Sequence, residues 1–332
     1  MNLILNFIPI IVISYLFSSL GKKLKISSEV SLIIFGIFLG FPGLSNIFIG
    51  NNQILFAVLS NIGLFSLMFL AGLESSWKTI KKEEKDSFYI ALFAAIIPFF
   101  LGLFFFKFFF SFNWVESFII GICMSITAEA TKAKILFELG KLKTRLGSTM
   151  IGAGIIDDIF GLSLFALLML FVGIFDFKEY FILFGVLFSF ILGLLVQKFA
   201  REHHLTKKLE FTLDIFFIPF FFISMGTYFN LFSLLFSPLL LCFIIILAIV
   251  GKIFGTLLAK PFLNFNRKQL YLVGWAMNSR GAIELALALI AFKAALINEY
   301  LYSALVLMAL VTTLIFPFII TKMIKNNPRI MY

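Results

Sequence analysis

Long apolar stretches follow one another along the whole chain and decide what it can fold into. Eleven of them run roughly over 2–20, 29–44, 54–74, 88–109, 114–137, 146–171, 178–199, 210–229, 233–258, 269–292 and 300–323. Each has about the length that a helix needs to cross the hydrocarbon core of a bilayer. The 332 residues are 61% hydrophobic and 13% charged, which is about half the charged fraction of a soluble domain. We therefore predict an all-α polytopic membrane protein with about eleven transmembrane helices and at most thirteen.

The basic residues lie mostly in alternate loops, on one side of the predicted membrane. Of the 27 lysines and arginines, 20 follow the odd-numbered spans: Lys22, Lys23, Lys25, Lys78, Lys81, Lys82, Lys85, Lys141, Lys143, Arg145, Lys198, Arg201, Lys207, Lys208, Lys260, Arg267, Lys268, Lys322, Lys325 and Arg329. Loops rich in lysine and arginine stay in the cytoplasm. This predicts a multi-pass protein of the cytoplasmic (inner) membrane of a prokaryote, with the N-terminus outside and the C-terminus inside. The net charge of +10 is thus a topology signal and does not indicate nucleic-acid binding.

Two adjacent aspartates, Asp157 and Asp158, lie in the middle of the sixth apolar stretch. A charge at the bilayer centre costs about 2.5–3.5 kcal/mol on insertion scales, so such a pair indicates a function. Neighbours on a helix point about 100° apart, so one aspartate should face a fixed cation and the other an aqueous cavity. Lys252 in the ninth stretch is the natural fixed cation. The other aspartate can hold a proton or a small cation but not both, and that competition is sufficient for exchange.

Two further stretches carry polar groups at membrane depth that are unfit for a lipid-facing helix. The fifth contains Ser125, Thr127 and Glu129, and the tenth contains Arg280 and Glu284. Both are typical of interrupted helices, whose freed carbonyls line ion sites in secondary transporters. Each lies one span away from a charged centre, which predicts an inverted repeat. We expect Glu129 to pair with Arg280 or to shape the site, and Lys132 and Lys134 to snorkel towards the cytoplasm.

Several motifs together resemble the bacterial monovalent cation:proton antiporter superfamily, in its second branch of Nap- and Kef-type exchangers. They occur in family order over nearly the whole chain: Phe69-Leu-Ala-Gly-Leu-Glu, Ser125-Ile-Thr-Ala, Leu136-Phe-Glu-Leu-Gly-Lys-Leu, Gly152-Ala-Gly-Ile-Ile-Asp-Asp-Ile-Phe-Gly-Leu, Phe220-Phe-Phe-Ile-Ser-Met-Gly, Gly251-Lys-Ile-Phe-Gly and Ser279-Arg-Gly-Ala-Ile-Glu. The resemblance implies an antiporter fold in which two interrupted helices cross near the bilayer midplane.

The resemblance also implies roles for individual residues. Asp158 would carry the cation and the proton, with Asp157 as a further Na⁺ ligand and the partner of Lys252, and Thr127 would lie at the crossing of the unwound helices. Arg280 and Glu284 fall at the family's charged positions on the second broken helix, whereas Glu129 and Ser125 are supporting candidates from their own chemistry at membrane depth. A double aspartate with a lysine is the pattern of electrogenic members, which exchange more than one proton per sodium.

The resemblance divides the chain as well. Residues 1–325 would form a single antiporter domain, with core helices over 88–171 and 233–323, scaffold helices over 2–74 and 178–229, and a short cytoplasmic tail over 326–332. The resemblance implies a homodimer. Relatives usually have thirteen spans, whereas residues 201–208 directly replace two helices here. The two missing helices belong to the scaffold in relatives, so their loss affects the part of the chain that is expected to form the dimer interface.

The leading hypothesis is therefore secondary exchange of Na⁺ (or Li⁺) for H⁺, without a cofactor and without enzymatic activity. K⁺/H⁺ exchange or K⁺ efflux is the alternative, because selectivity depends on the size of the site and its number of ligands. An intramembrane aspartyl protease would need two aspartates on different helices, whereas Asp157 and Asp158 are adjacent. Structural roles stay open beside the functional ones: Arg280 and Glu284 could neutralise each other, Thr127 and Ser125 could bond to helix carbonyls, and Lys252 could snorkel.

Overall fold

The protein is described by a computed structural model that covers residues 8–23, 26–74, 84–173, 177–200, 204–232 and 237–332. Its α-helices, in chain order, are α1 Ile8–Lys23, α2 Ser28–Leu39, α3 Pro42–Phe48, α4 Gln53–Glu74, α5 Glu84–Phe109, α6 Trp114–Ser125, α7 Glu129–Glu138, α8 Arg145–Val172, α9 Phe177–Ala200, α10 His204–Phe216, α11 Ile218–Thr227, α12 Pro238–Leu258, α13 Arg267–Ala276, α14 Ala282–Lys293 and α15 Glu299–Asn326. Short 3₁₀ turns occupy Gly50–Asn52, Lys260–Phe262 and Pro328–Met331.

The apolar helices among the described residues account for the predicted spans. Five helices and the segment Lys208–Thr227, which contains most of α10 and all of α11, are long and apolar enough to cross a membrane, and they correspond to spans three, four, six, nine and eleven and to span eight. Shorter apolar helices match spans one, two, five and seven, and the tenth span is divided into α13 and α14. Residues 2–7 and 233–236 of the predicted spans lie outside the described residues, as do the loop residues Lys25, Lys78, Lys81, Lys82 and Arg201.

Two predicted boundaries were wrong, and proline is the reason in both cases. The second span was expected to run to residue 44, but α2 ends at Leu39 because Phe41, which precedes Pro42, is held in an extended conformation. The eighth span was expected as one helix from residue 210. Instead α10 begins at His204 and a break at Phe217 separates it from α11, where Pro219 in the first turn has no N–H to continue the helix.

The residues that flank α8 explain where this helix begins and ends. Thr144 caps its start, where the hydroxyl accepts a hydrogen bond from the amide of Gly147 at 3.1 Å. The helix ends at Gly173, whose φ of 64° places it in the left-handed region that glycine adopts without steric cost. The 28 residues between these signals carry both aspartates near their middle.

The chain forms two compact units, and each consists of two separate stretches of sequence. The first unit contains α1–α4 and α9–α11. Within it α4 and α9 approach closely at glycines: a Cβ on Gly72 would lie 2.1 Å from the carbonyl oxygen of Phe190, and one on Gly193 would lie 2.1 Å from that of Phe69. The hydroxyls of Ser60 and Ser224 form a buried hydrogen bond of 2.6 Å that joins α4 to α11.

The second unit contains α5–α8 and α12–α15, and it repeats one order of elements. A long helix (α5) is followed by a broken one (α6–α7) and a long one (α8). The same order returns as α12, α13–α14 and α15. The C-terminal residues pack onto this unit, because the side-chain amide of Gln269 donates to the carbonyls of Ile330 and Tyr332 at 3.2 and 3.1 Å.

Candidate functional site

The two broken helices of the second unit meet at their breaks. Residues 126–128 are not helical and join α6 to α7, and residues 277–281 join α13 to α14. The amide of Ala128 donates to the carbonyl of Ser279 at 2.7 Å, and the Ser279 hydroxyl donates to the carbonyl of Ala128 at 2.8 Å. Gly281 is required here because a Cβ would lie 2.5 Å from that of Ala128. The helices therefore cross with their unwound segments in direct contact.

The unwound segment before α7 lies along one face of α8. Positions Gly154, Asp157, Asp158 and Gly161 share this face, since residues three, four and seven apart stack on a helix. A Cβ on Gly161 would lie 2.3 Å from the Ile126 side chain, and one on Gly154 would lie 1.2 Å from Oε1 of Glu129. The glycines thus make room for the segment, and the aspartates between them face it.

Asp157 forms a buried ion pair with Lys252. Nζ of Lys252 lies 2.6 Å from Oδ2 of Asp157, and neither side chain is exposed. The same ammonium donates to the Thr127 hydroxyl at 2.8 Å and to the carbonyl of Ser125. Three oxygens therefore hold Lys252, which pairs inside the protein and does not snorkel.

Thr127 connects the ion pair to the crossing. Its Oγ1 lies 2.6 Å from Oδ2 of Asp157 and 3.1 Å from the carbonyl oxygen of Met277, and its single proton can be donated to either. The hydroxyl thus contacts α8, α12 and the break between α13 and α14. Thr127 therefore lies where the unwound segments meet. Ser125 contributes its carbonyl to Lys252, while its hydroxyl donates to the carbonyl of Ile122 at 2.8 Å within its own helix.

Asp158 is buried but its carboxylate keeps a free acceptor. The residue is 4% exposed, and its Oδ1 has no hydrogen-bond partner among the described residues. Four charged side chains act on it electrostatically: the carboxylates of Glu129 and Asp157 and the ammonium groups of Lys132 and Lys252. A buried carboxylate oxygen needs a partner, so this atom is suited to hold a proton or a cation.

Glu129 and Lys132 form an ion pair of their own at the start of α7. The two charged atoms, Oε1 and Nζ, are 2.9 Å apart. Of the two roles expected for Glu129, pairing with Arg280 was wrong, because its carboxylate pairs with Lys132. The expected snorkelling of Lys132 was also wrong, because the residue is 1% exposed. Lys134, two residues later, is exposed as expected. Sequence reasoning missed Lys132 as a site residue, although its i, i+3 spacing from Glu129 was the available signal.

Arg280 binds the end of α6. Its guanidinium donates to the carbonyls of Cys123, Met124 and Ile126 at 2.5, 2.8 and 2.8 Å. These are carbonyls that the helix leaves without an intrahelical partner, and a positive charge there complements the helix dipole. Glu284 lies 3.5 Å from the guanidinium, so the two partly neutralise each other while Arg280 also closes the broken helix.

Comparison with known proteins agrees with this architecture. The family model described as "Sodium/hydrogen exchanger, transmembrane" matches residues 10–189 and 167–326. The chain belongs to the sodium/hydrogen exchanger family. It is 26% identical to a Na(+)/H(+) antiporter of Enterococcus hirae over 374 aligned positions, which cover 96% of this chain and 97% of the relative. It is 24% identical to the Na(+)/H(+)-K(+) antiporter GerN of Bacillus cereus, with 90% of each chain covered.

A solved structure shares the fold. The sodium proton antiporter MjNhaP1 from Methanocaldococcus jannaschii superimposes with a TM-score of 0.67, covering 100% of this chain and 99% of that one, at 15% sequence identity. The predicted superfamily and the predicted all-α antiporter fold with two crossing interrupted helices are both confirmed. The exchanger family thus places the polar cluster of the second unit in a multi-pass membrane protein.

Proposed function

We propose that this exchanger-family chain is a secondary active transporter that exchanges Na⁺ (or Li⁺) for H⁺ by alternating access. The observation that carries the proposal is the charge balance of five groups, of which Asp157, Asp158, Lys132 and Lys252 are buried and Glu129 is 14% exposed. Asp157 with Lys252 and Glu129 with Lys132 are two neutral pairs, so an ionised Asp158 is the one net charge among these five. One proton or one monovalent cation neutralises it, and the two cannot bind together. Competition at one carboxylate couples the two ion flows.

The neighbouring residues take supporting roles in this proposal. Thr127 presents its hydroxyl beside the aspartates, and Lys252 holds Asp157 so that its neighbour faces the ion path. Electrogenic exchange needs more protons than cations in each cycle. A group besides Asp158 must then carry the extra proton, and we assign that to the Asp157–Lys252 pair. Arg280 and Glu284 maintain the break at which the ion binds.

The assignment of the whole chain follows from the same proposal. The second unit would be the ion-binding core and the first the scaffold. The chain would lie in a cytoplasmic membrane with its N-terminus outside and its C-terminus inside, and it would act as a homodimer on alkali cations and protons, with no cofactor. K⁺/H⁺ exchange is the second candidate, because the similar protein GerN is named a Na(+)/H(+)-K(+) antiporter.

Asp158→Asn tests the proposal directly. In proteoliposomes loaded with a pH gradient, the unmodified chain should dissipate the gradient when Na⁺ or Li⁺ is added, and Asp158→Asn should not. Glu299→Gln is the matched control, since Glu299 is an exposed acid at the start of α15. Adding K⁺ in a separate run distinguishes the two candidates. Full activity in a folded Asp158→Asn protein would reject Asp158 as the carrier.

A further inference from the structure

The Glu129–Lys132 pair occupies space on α8 that is open because Gly154 has no side chain. A Cβ on Gly154 would lie 1.2 Å from Oε1 of Glu129 and 2.9 Å from Nζ of Lys132. Any side chain larger than hydrogen at this position would displace the pair. The carboxylate of Glu129 therefore occupies the place that a side-chain Cβ would take on the face of α8 that carries the aspartates.

This placement sets the distance from Glu129 to Asp158. Gly154 and Asp158 are i, i+4 on α8, and Cβ positions with that spacing are about 5–6 Å apart. Because Oε1 of Glu129 stands near the Cβ position of Gly154, it lies about one helical turn from the Cβ of Asp158. Independently, Oδ1 of Asp158 is buried without a hydrogen-bond partner among the described residues. Two carboxylates, one of them with an unused acceptor, thus line the same face.

The two buried lysines of the site are held very differently. Lys252 donates to three oxygens, whereas the described contacts of Nζ of Lys132 are one oxygen of Glu129 and the sulfur of Met277 at 3.7 Å. A thioether sulfur is a weak acceptor, so most of what holds the Lys132 ammonium is the Glu129 carboxylate. Lys252 is thus held by three oxygens, whereas the described contacts of Lys132 include one oxygen.

We infer that Glu129 is a second carboxylate ligand of the transported monovalent cation, and that the Lys132 ammonium is a built-in competitor that occupies Glu129 when no cation is bound. This inference rests on the proposed function. An alkali cation and an ammonium carry the same charge and both bind to oxygen, so one replaces the other on Glu129 without changing the net charge there. The cation bridges Glu129 and Asp158, and Lys132 sets how tightly it binds.

A purely structural role makes a different prediction. Glu129 is the first residue of α7, where a negative charge stabilises the helix dipole, and Lys132 could simply neutralise it. In that case the two side chains reach Asp158 only through their charges, and the double variant, which leaves the net charge unchanged, should keep the KM of the unmodified chain. Ligation by Glu129 with competition from Lys132 instead requires opposite shifts in the two single variants and a raised KM in the double variant.

The experiment measures KM for Na⁺ and for Li⁺ at one pH in proteoliposomes of the full chain. Glu129→Gln should raise KM on the order of tenfold, which corresponds to about 1.4 kcal/mol, and Lys132→Gln should lower it. The double variant Glu129→Gln/Lys132→Gln buries no uncompensated charge and should resemble Glu129→Gln alone. Glu138→Gln and Lys134→Gln are matched controls, because both residues lie on α7 and are exposed.

A second measurement does not depend on transport. Binding of Na⁺ to the folded chain in detergent stabilises it by RT ln(1 + [Na⁺]/Kd) and so raises its unfolding temperature, with choline as the reference cation. The Na⁺-dependent rise should be reduced in Glu129→Gln and in the double variant and retained in Glu138→Gln. This comparison keeps the inference testable when Lys132→Gln alone does not fold.

The outcomes separate the two proposals. An unmodified chain with neither exchange nor a Na⁺-dependent rise in unfolding temperature would overturn the proposed function and this inference with it. An active unmodified chain whose KM is unchanged in Glu129→Gln would overturn the inference alone. The same holds if Lys132→Gln raises KM as Glu129→Gln does, because competition by the ammonium then does not occur.

Discussion

The buried pair of Asp157 and Lys252 allows a quantitative prediction. Lys252→Met removes the ammonium and keeps most of the stem, and it leaves Asp157 buried with the Thr127 hydroxyl as its hydrogen-bond donor. Removing one partner of a buried ion pair costs about 3–5 kcal/mol, because the remaining charge is uncompensated. We expect that loss in the free energy of unfolding, which is roughly two to three and a half orders of magnitude in the equilibrium constant.

The double variant isolates the pair itself. Replacing a buried ion pair by neutral groups of similar volume is often close to neutral in stability. Asp157→Asn/Lys252→Met should therefore be several kcal/mol more stable than the sum of the single losses predicts. The free energies come from unfolding in dodecyl maltoside micelles titrated with sodium dodecyl sulfate, followed by tryptophan fluorescence. Lys260→Met, at an exposed lysine just beyond α12, should change stability by less than about 0.5 kcal/mol.

One result would refute the reasoning about this pair. If the two single losses add in the double variant to within about 0.5 kcal/mol, the charges do not interact and the measured costs have another origin. A functional readout accompanies the stability one. The pair is assigned the extra proton, so the double variant should move less net charge in each exchange cycle. The ratio of its Na⁺-dependent current on a solid-supported membrane to its exchange activity should therefore fall. An unchanged ratio of current to exchange would contradict that assignment.

The remaining predictions concern the glycine face of α8 and the end of α6. Gly161→Ala should cost about 1–3 kcal/mol and reduce exchange, because its Cβ would lie 2.3 Å from Ile126 in the unwound segment. Thermal unfolding in detergent checks it against Gly43→Ala, where no atom lies within 4 Å of the new Cβ. Arg280→Lys should lose about 1–3 kcal/mol in the same assay, since a lysine cannot reproduce a planar fork to three carbonyls and leaves a buried acceptor without a partner. A Lys variant as stable as the parent would show that the fork is unnecessary.

Much of the fold was accessible without coordinates because its signals are local. The insertion cost of each stretch depends on its own composition, so hydropathy alone predicts the helices that structure and family comparison bear out. The breaks near Thr127 and Arg280 were also predictable, since hydroxyls and charges at depth are incompatible with a helix facing lipid. Boundaries at Pro42 and Pro219 were missed because hydropathy does not register the backbone restriction that proline imposes.

The sequence by itself determined that charged residues lie at membrane depth. It also limited the possible members of this charged centre to a few acidic and basic residues. From the residues alone, either aspartate could have paired with Lys252, and only the resemblance favoured Asp157. Tertiary structure decided the partners: Lys252 with Asp157, Lys132 with Glu129, and Arg280 with the carbonyls that end α6. The physical reason is that hydropathy and helix period are properties of neighbours along the chain. An ion pair depends on distance through space, and Lys252 and Asp157 are separated by 95 positions in sequence.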